Sequence, residues 1–347
     1  MSKIVFGTGK LGRLNSSKYE RLLINTMGSA LERGLDIHLS PSYGNSFQVI
    51  RKNFYPLSQY KSNFIVKVDG SCLEYLEYQI VLTKRMLGIK GPVEIQLTGD
   101  LHLRDNGFYE IDNKIDELTG KGLINFCYFT PIYSDSENFL EVIGKNNIGF
   151  CLHFSLVERE FKETFFDQLQ KHKNIRVIAL RAFGESLIGY GNWHYPVFLE
   201  KKPSQIIEQQ HNTHSQICHD SGISNAESRL KYALHHPSIT RGIFTFSTEM
   251  QLDQALEAEK TIPDTAVLNS LSEFALKFAN MNRPEVGSSQ PANLNFIYLH
   301  NFIISFVTAC QLGLVRFFLR NLGKRLITHL VTKAVHYRKI IREMKDV

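Results

Sequence analysis

Eight short apolar runs, each five to seven residues long, punctuate the first 246 positions: KIVFG (3–7), LDIHL (35–39), FIVKV (64–68), VEIQLT (93–98), LINFCYF (123–129), IGFCLHF (148–154), IRVIALR (175–181) and RGIFTF (241–246). They are rich in β-branched and aromatic residues and too short to be buried helices, so each reads as a strand. Longer segments with apolar residues at three- and four-residue steps separate them. SSKYERLLINTMGSALERG opens on a serine cap and closes on Gly34, and EYLEYQIVLTKRMLG closes on Gly88. Those are the start and stop signals of helices. Eight strand–helix repeats predict an α/β protein, a (β/α)8 barrel of the TIM type. An open doubly wound sheet is the competing architecture. The first turn, GTGKLG, does not supply a GxGxxG fingerprint, and no acidic residue follows the second strand where a ribose contact belongs.

The periodicity changes past the barrel. RPEVGSSQPANLN, residues 283–295, is a linker of Pro, Gly, Ser and Asn. It divides the chain into a barrel at 1–282 and a helical C-terminal tail at 296–347. Residues 294–315 carry no formal charge, yet Asn295, His300, Asn301 and Gln311 make them too polar for a convincing membrane span. Beyond them Val315, Leu319, Leu322, Leu326, Leu330, Ala334, Tyr337 and Ile341 form one apolar stripe, with the basic residues largely off it. This is the pattern of an amphipathic helix lying in an interface.

Charge sharpens the division. The net charge is +6, but residues 316–347 hold nine Lys or Arg against Glu343 and Asp346, a local +7 that leaves −1 for the rest. Such polarity argues against a nucleic-acid binder and predicts that residues 294–345 meet an anionic membrane surface. The N-terminus, MSKIVFGTGKLG, lacks the apolar core of a secretory signal. The expected location is therefore cytoplasmic, peripheral at the inner face of a membrane. Five scattered cysteines without CxxC pairing oppose both a disulfide framework and a zinc site. His211, His214, Cys218 and His219 share one polar helical segment, with no second ligand cluster of zinc-like spacing elsewhere, and no metal is expected.

In a (β/α)8 barrel the chemistry belongs at the C-terminal ends of the strands. Tyr43 lies just past the second predicted strand, and Lys67 lies in the third. An ammonium beside a phenol stabilises phenolate and makes the hydroxyl a better proton donor to a carbonyl oxygen. Arg181, at the end of the seventh strand with no carboxylate in its own segment, is a candidate contact for an anionic ligand. Ser247 and Thr248, before a predicted helix, are candidate phosphate contacts at its N-terminus.

Taken together, KIVFGTGKLG, GLDIHLSPSYGNS, NFIVKV, LTKRMLGIKGPVEIQL, FSLVER, IRVIALRAFGESLIGYG and ESRLKYALHHPSITRGIFTFST resemble the aldo-keto reductase superfamily in order and spacing, over roughly residues 3–281. The resemblance implies a (β/α)8 barrel, a nicotinamide nucleotide (NADP or NAD) bound at its mouth, and hydride transfer to small aldehydes, ketones or sugar-like substrates. It also implies an Asp, Tyr, Lys and His tetrad. Tyr43 falls on the tyrosine and Lys67 on the lysine, but the aspartate position is His38, and the histidine position falls on Thr98 or Gly99. His102, three residues further on, is a loop candidate for the missing imidazole. Strand alternation puts Asp36 on the same face as His38, two residues deeper, as a candidate partner.

The cofactor positions depart too. Where the family has amide anchors this chain aligns Tyr128 or Phe129 and Cys151, and where it has a stacking aromatic this chain aligns Leu180. No arginine follows Ser247 and Thr248 to pair with a 2′-phosphate; Gln251 and Asp253 occupy that neighbourhood. Two readings follow. One is an aldo-keto reductase-like oxidoreductase with a rewired site, in which Tyr43 donates the proton, Lys67 tunes it and His38 stands in for a missing group. The other is a catalytically inactive barrel that serves as a binding or scaffolding module at a membrane surface.

Overall fold

The computed structural model of the 347-residue chain describes residues 2–11, 17–70, 73–98, 108–130, 147–157, 163–172, 175–183 and 204–278. Linker 283–295, tail 296–347 and His102 lie outside the described residues. Eight parallel strands close into a barrel in simple sequential order. They are β1 (Ile4–Gly7), β2 (Asp36–Leu39), β3 (Phe64–Asp69), β4 (Val93–Thr98), β5 (Ile124–Phe129), β6 (Ile148–His153), β7 (Arg176–Leu180) and β8 (Arg241–Phe244). Each lies within a run predicted from the sequence, or one residue beyond it. Their near-continuous apolar character follows from burial on both faces, lumen side and helix side.

The described helices are α1 (Ser17–Glu32), α2 (Ser46–Phe54), α3 (Leu73–Leu87), α4 (Phe108–Gly120), α5 (Glu163–Gln170), α6 (Ser204–Asp220), α7 (Asn225–His235), α8 (Glu249–Lys260) and α9 (Thr265–Phe278). Among the described residues no helix is long and apolar enough to cross a membrane. Gly88 shows why α3 stops where the sequence says. It sits at φ 67°, and a Cβ there would meet the Pro56 Cβ at 2.6 Å, so both conformation and space require glycine.

Strand register and side-chain alternation sort the lumen into layers contributed by alternate strands. Asp36, Glu94, Gly149 and Arg241 form the lowest of these, and Val5, Ile65, Tyr128 and Ile178 the next. Above them come His38, Gln96, Cys151 and Ile243, then Gly7, Lys67, Thr130 and Leu180 towards the C-terminal strand ends. Such layers are usually filled by branched apolar side chains. Here the second layer keeps that character, with Val5, Ile65 and Ile178 fully buried. The lowest layer is charged and the third is half polar.

The charged layer is held by Arg241. Its Nη1 donates to Asp36 Oδ2 at 2.5 Å, and its Nη2 donates to both the Glu94 carboxylate and the Tyr128 hydroxyl. Asn63 Nδ2 donates to the other Asp36 oxygen at 2.9 Å, and Arg176 Nη1 to Glu94 Oε1 at 3.1 Å. Two carboxylates thus meet two guanidinium groups. Burial, reinforced by the Glu94 carboxylate, pushes the Tyr128 phenol up and keeps it a donor, which it gives to Glu94 Oε2 at 3.0 Å.

Candidate active site

Tyr43, Lys67 and His38 converge, as their strands require. The Lys67 Nζ lies 5.9 Å from the centre of the Tyr43 ring, and the His38 ring lies 6.0 Å from it at an interplanar angle of 56°. Lys67 is in the uppermost of the four layers, and His38 one layer below. Tyr43 follows the turn after β2, where its backbone N–H donates to the Ser40 carbonyl at 3.2 Å and its own carbonyl accepts from Ser46 N–H at 3.1 Å. Those bonds pin the tyrosine between strand end and α2.

His38 faces inward and is buried. Its partner is not Asp36, which the barrel's lowest layer consumes through Arg241 and Asn63. Contrary to the expectation from strand alternation, a carboxylate two residues deeper lies in the layer of a guanidinium, and that ion pair takes it. The imidazole instead bonds Gln96, with Nε2 and Oε1 2.5 Å apart. Gln96 in turn donates from Nε2 to Thr130 Oγ1 at 2.8 Å. Burial lowers the His38 pKa to about 4, with the Lys67 charge acting in the same direction, and the bond to Gln96 opposes both. His38 is neutral at physiological pH. It therefore does not add a second positive charge beside Lys67.

Gln96 and Thr130 were not singled out by sequence reasoning. A signal was available. Gln96 and Glu94 are polar residues at lumen-facing parity in an otherwise apolar strand, which is costly unless they are bonded. Thr98, one of the two residues that the resemblance sets at the fourth tetrad position, spends its hydroxyl on the Val68 carbonyl at 3.0 Å, and the other, Gly99, lies outside the described residues.

The candidate cofactor residues divide by location. Arg181 follows β7, half-buried, at φ 52°, a left-handed conformation uncommon for arginine. Thr248 caps α8 by accepting from Gln251 N–H at 3.3 Å, while Gln251 Oε1 accepts from Ser247 N–H at 2.8 Å. That reciprocal capping satisfies two of the donors a phosphate could use. Tyr128, Phe129 and Cys151 are fully buried in the barrel wall and lumen, and Leu180 packs in the same apolar cluster.

Away from the mouth, His214 bonds Ser228 Oγ at 2.8 Å with the Cys218 sulfur 3.6 Å away, and exposed His219 pairs with Asp220. Among the described residues no group of three or more His, Cys, Asp or Glu is arranged to hold a metal ion.

No protein-family model and no curated protein matches this sequence. Solved structures do. An aldo/keto reductase from Klebsiella pneumoniae, in complex with NADP and acetate, superimposes with a TM-score of 0.59 at 15% identity, over 82% of this chain and 94% of its own. The holo form of an aldo-keto reductase from Bacillus halodurans gives a TM-score of 0.60 at 17% identity, over 79% of this chain and 92% of its own. This chain has the aldo-keto reductase fold. At that identity the likeness speaks for the barrel and its strand order. In (β/α)8 barrels functional groups sit at the C-terminal strand ends, the rim on which Tyr43 and Lys67 lie.

Proposed function

We propose that the barrel is an aldo-keto reductase-type oxidoreductase that uses NADP or NAD to interconvert a small carbonyl, aldehyde, ketone or sugar-like, with its alcohol. The observation that carries this reading is the Tyr43 ring set against Lys67 and His38 at the strand ends of this fold. A dihydronicotinamide bound at the mouth would supply the hydride that the carbonyl carbon takes up. Tyr43 gives its hydroxyl proton to the carbonyl oxygen, and the Lys67 ammonium offsets the charge left on the phenol oxygen. His38 contributes a neutral imidazole where the family resemblance implies a carboxylate.

Tyr43, Lys67 and His38 would meet the reacting end of such a nucleotide. For its phosphates the candidate contacts are the Arg181 guanidinium, the Ser247 and Thr248 hydroxyls and the positive end of α8, where the Ser247 and Gln251 N–H groups are already bonded within the cap. Glu249 in the first turn of α8 opposes an additional 2′-phosphate there, which makes NAD as reasonable a cofactor as NADP. Calorimetric titration of the full-length protein with NADPH, NADP and NAD tests the reading. Binding of at least one at roughly micromolar strength is expected; silence with all three removes it.

A second reading has its own support. Tyr128, Cys151 and Leu180 pack the lumen at positions where the resemblance implies cofactor anchors, as they would in a barrel kept for binding alone. In either case we propose that residues 294–345 bind anionic membranes from the cytoplasmic side. The Val315–Ile341 stripe offers an apolar face, and the nine basic residues each add about 1 kcal/mol of attraction near an acidic surface. Flotation with phosphatidylserine vesicles is expected for the full chain, to weaken as salt rises, and to vanish for a chain ending at Arg283. Equal behaviour of the two chains rejects the membrane role.

A further inference from the structure

We infer that Gln96 is a positioning residue that holds His38 in a single tautomer, protonated on Nε2, and that Thr130 steadies the Gln96 amide through its second bond. An amide side chain has one accepting and one donating end. At Gln96 the donating Nε2 is 2.8 Å from Thr130 Oγ1, and the accepting Oε1 at the other end of the amide is 2.5 Å from His38 Nε2. An oxygen with no proton can only accept, so the imidazole carries its hydrogen on Nε2 and a lone pair on Nδ1. Among the described residues nothing donates to that Nδ1.

Three strands cooperate. β2 supplies the ring, β4 the amide and the residue just past β5 the hydroxyl, all within the upper layers of the lumen. The geometry assigns a fixed hydrogen-bonding polarity to the group that stands beside Tyr43. It is chemically distinct from a carboxylate, which carries charge and accepts on both oxygens.

The other titratable groups around the ring keep it neutral. Lys67 on β3 opposes a second cation. On lumen-facing positions Asp36 of β2, Glu94 of β4, Tyr128 of β5, Arg176 of β7 and Arg241 of β8 form one bonded set in which two guanidinium groups balance two carboxylates, so no net anion is aimed at the imidazole. Tyr43 lies against it, and buried Cys151 of β6 has its thiol pushed up by burial. Asp69 of β3 and His153 of β6 share the lumen parity at the far strand ends.

This goes beyond the proposed reaction, and its test requires no turnover. The full-length protein, labelled with 15N-histidine, is examined by long-range 1H–15N correlation spectra from pH 5 to 8. His38, assigned by its loss in His38→Gln, is expected to show one pattern throughout, with the proton on Nε2. Thr130→Val, which frees the amide to turn, is expected to yield a mixture of tautomers. Gln96→Glu places a carboxylate on the Nε2 proton and is expected to raise the midpoint of His38 by about 1–3 pH units. Gln96→Leu covers the case in which the glutamate variant does not fold, and is expected to lose the tautomer preference. An Nδ1-protonated or charged wild-type ring at neutral pH overturns the assignment. So does an unchanged spectrum in both Thr130→Val and Gln96→Leu.

Discussion

Replacing Tyr43 with phenylalanine is expected to lower carbonyl reduction roughly 100- to 10,000-fold, the loss that follows removal of a positioned proton donor. The ring itself is retained in that change. Its contacts with the His38 ring at 6.0 Å and with Lys67 Nζ at 5.9 Å depend on the aromatic body, so the site should keep its shape. Only the hydroxyl is deleted. Initial rates of NAD(P)H consumption with a panel of small aldehydes, ketones and sugars measure the effect. Nucleotide affinity and the thermal midpoint, followed in parallel, should stay near wild type. A loss confined to kcat fits an interaction made mainly in the transition state, whereas a rise in KM alone would place Tyr43 in substrate binding. If activity survives intact, the proton comes from another group or from water at the barrel mouth.

The sequence disclosed the barrel because periodicity is a property of the chain itself. Runs such as VEIQLT and RGIFTF are short, β-branched and bounded by helical segments, so strand positions followed directly. The meeting of Tyr43 and Lys67 at one rim was legible for a related reason: the C-terminal ends of all eight strands in this fold face the same mouth. The partner of His38 was not legible. Position 38 meets position 96 only because alternate strands share a layer, and that pairing depends on the closure and stagger of the whole barrel. Asp36 looked like the natural partner when only its own strand was considered. Arg241 lies 205 positions away in sequence and claims it nonetheless. Polar residues at lumen-facing parity were the missed cue, since each must find a partner somewhere in the enclosed space.

Arg241 is also where the largest loss of stability is expected. Its guanidinium touches three groups at once, Asp36, Glu94 and the Tyr128 hydroxyl, and its side chain is only 11% exposed, against 3% and 7% for the two carboxylates. Changing Arg241 to methionine keeps much of the volume and removes the charge. Asn63 still bonds Asp36 and Arg176 still bonds Glu94, but two buried carboxylates then share a layer with half of their compensation gone. Breaking a buried ion pair in this way typically costs about 3–5 kcal/mol, because the remaining charge has no water to replace its partner. Urea unfolding of the full-length variant should show that drop as a lower midpoint with little change in slope. The charge explanation has a sharper consequence. Adding Asp36→Asn and Glu94→Gln to Arg241→Met removes the orphaned charges along with the guanidinium, and most of the lost stability should return, since a network replaced as a whole costs far less than one broken at a single member. If the triple variant is less stable than Arg241→Met alone, the layer is held by packing and hydrogen-bond geometry, and the charges of Asp36 and Glu94 are incidental to it.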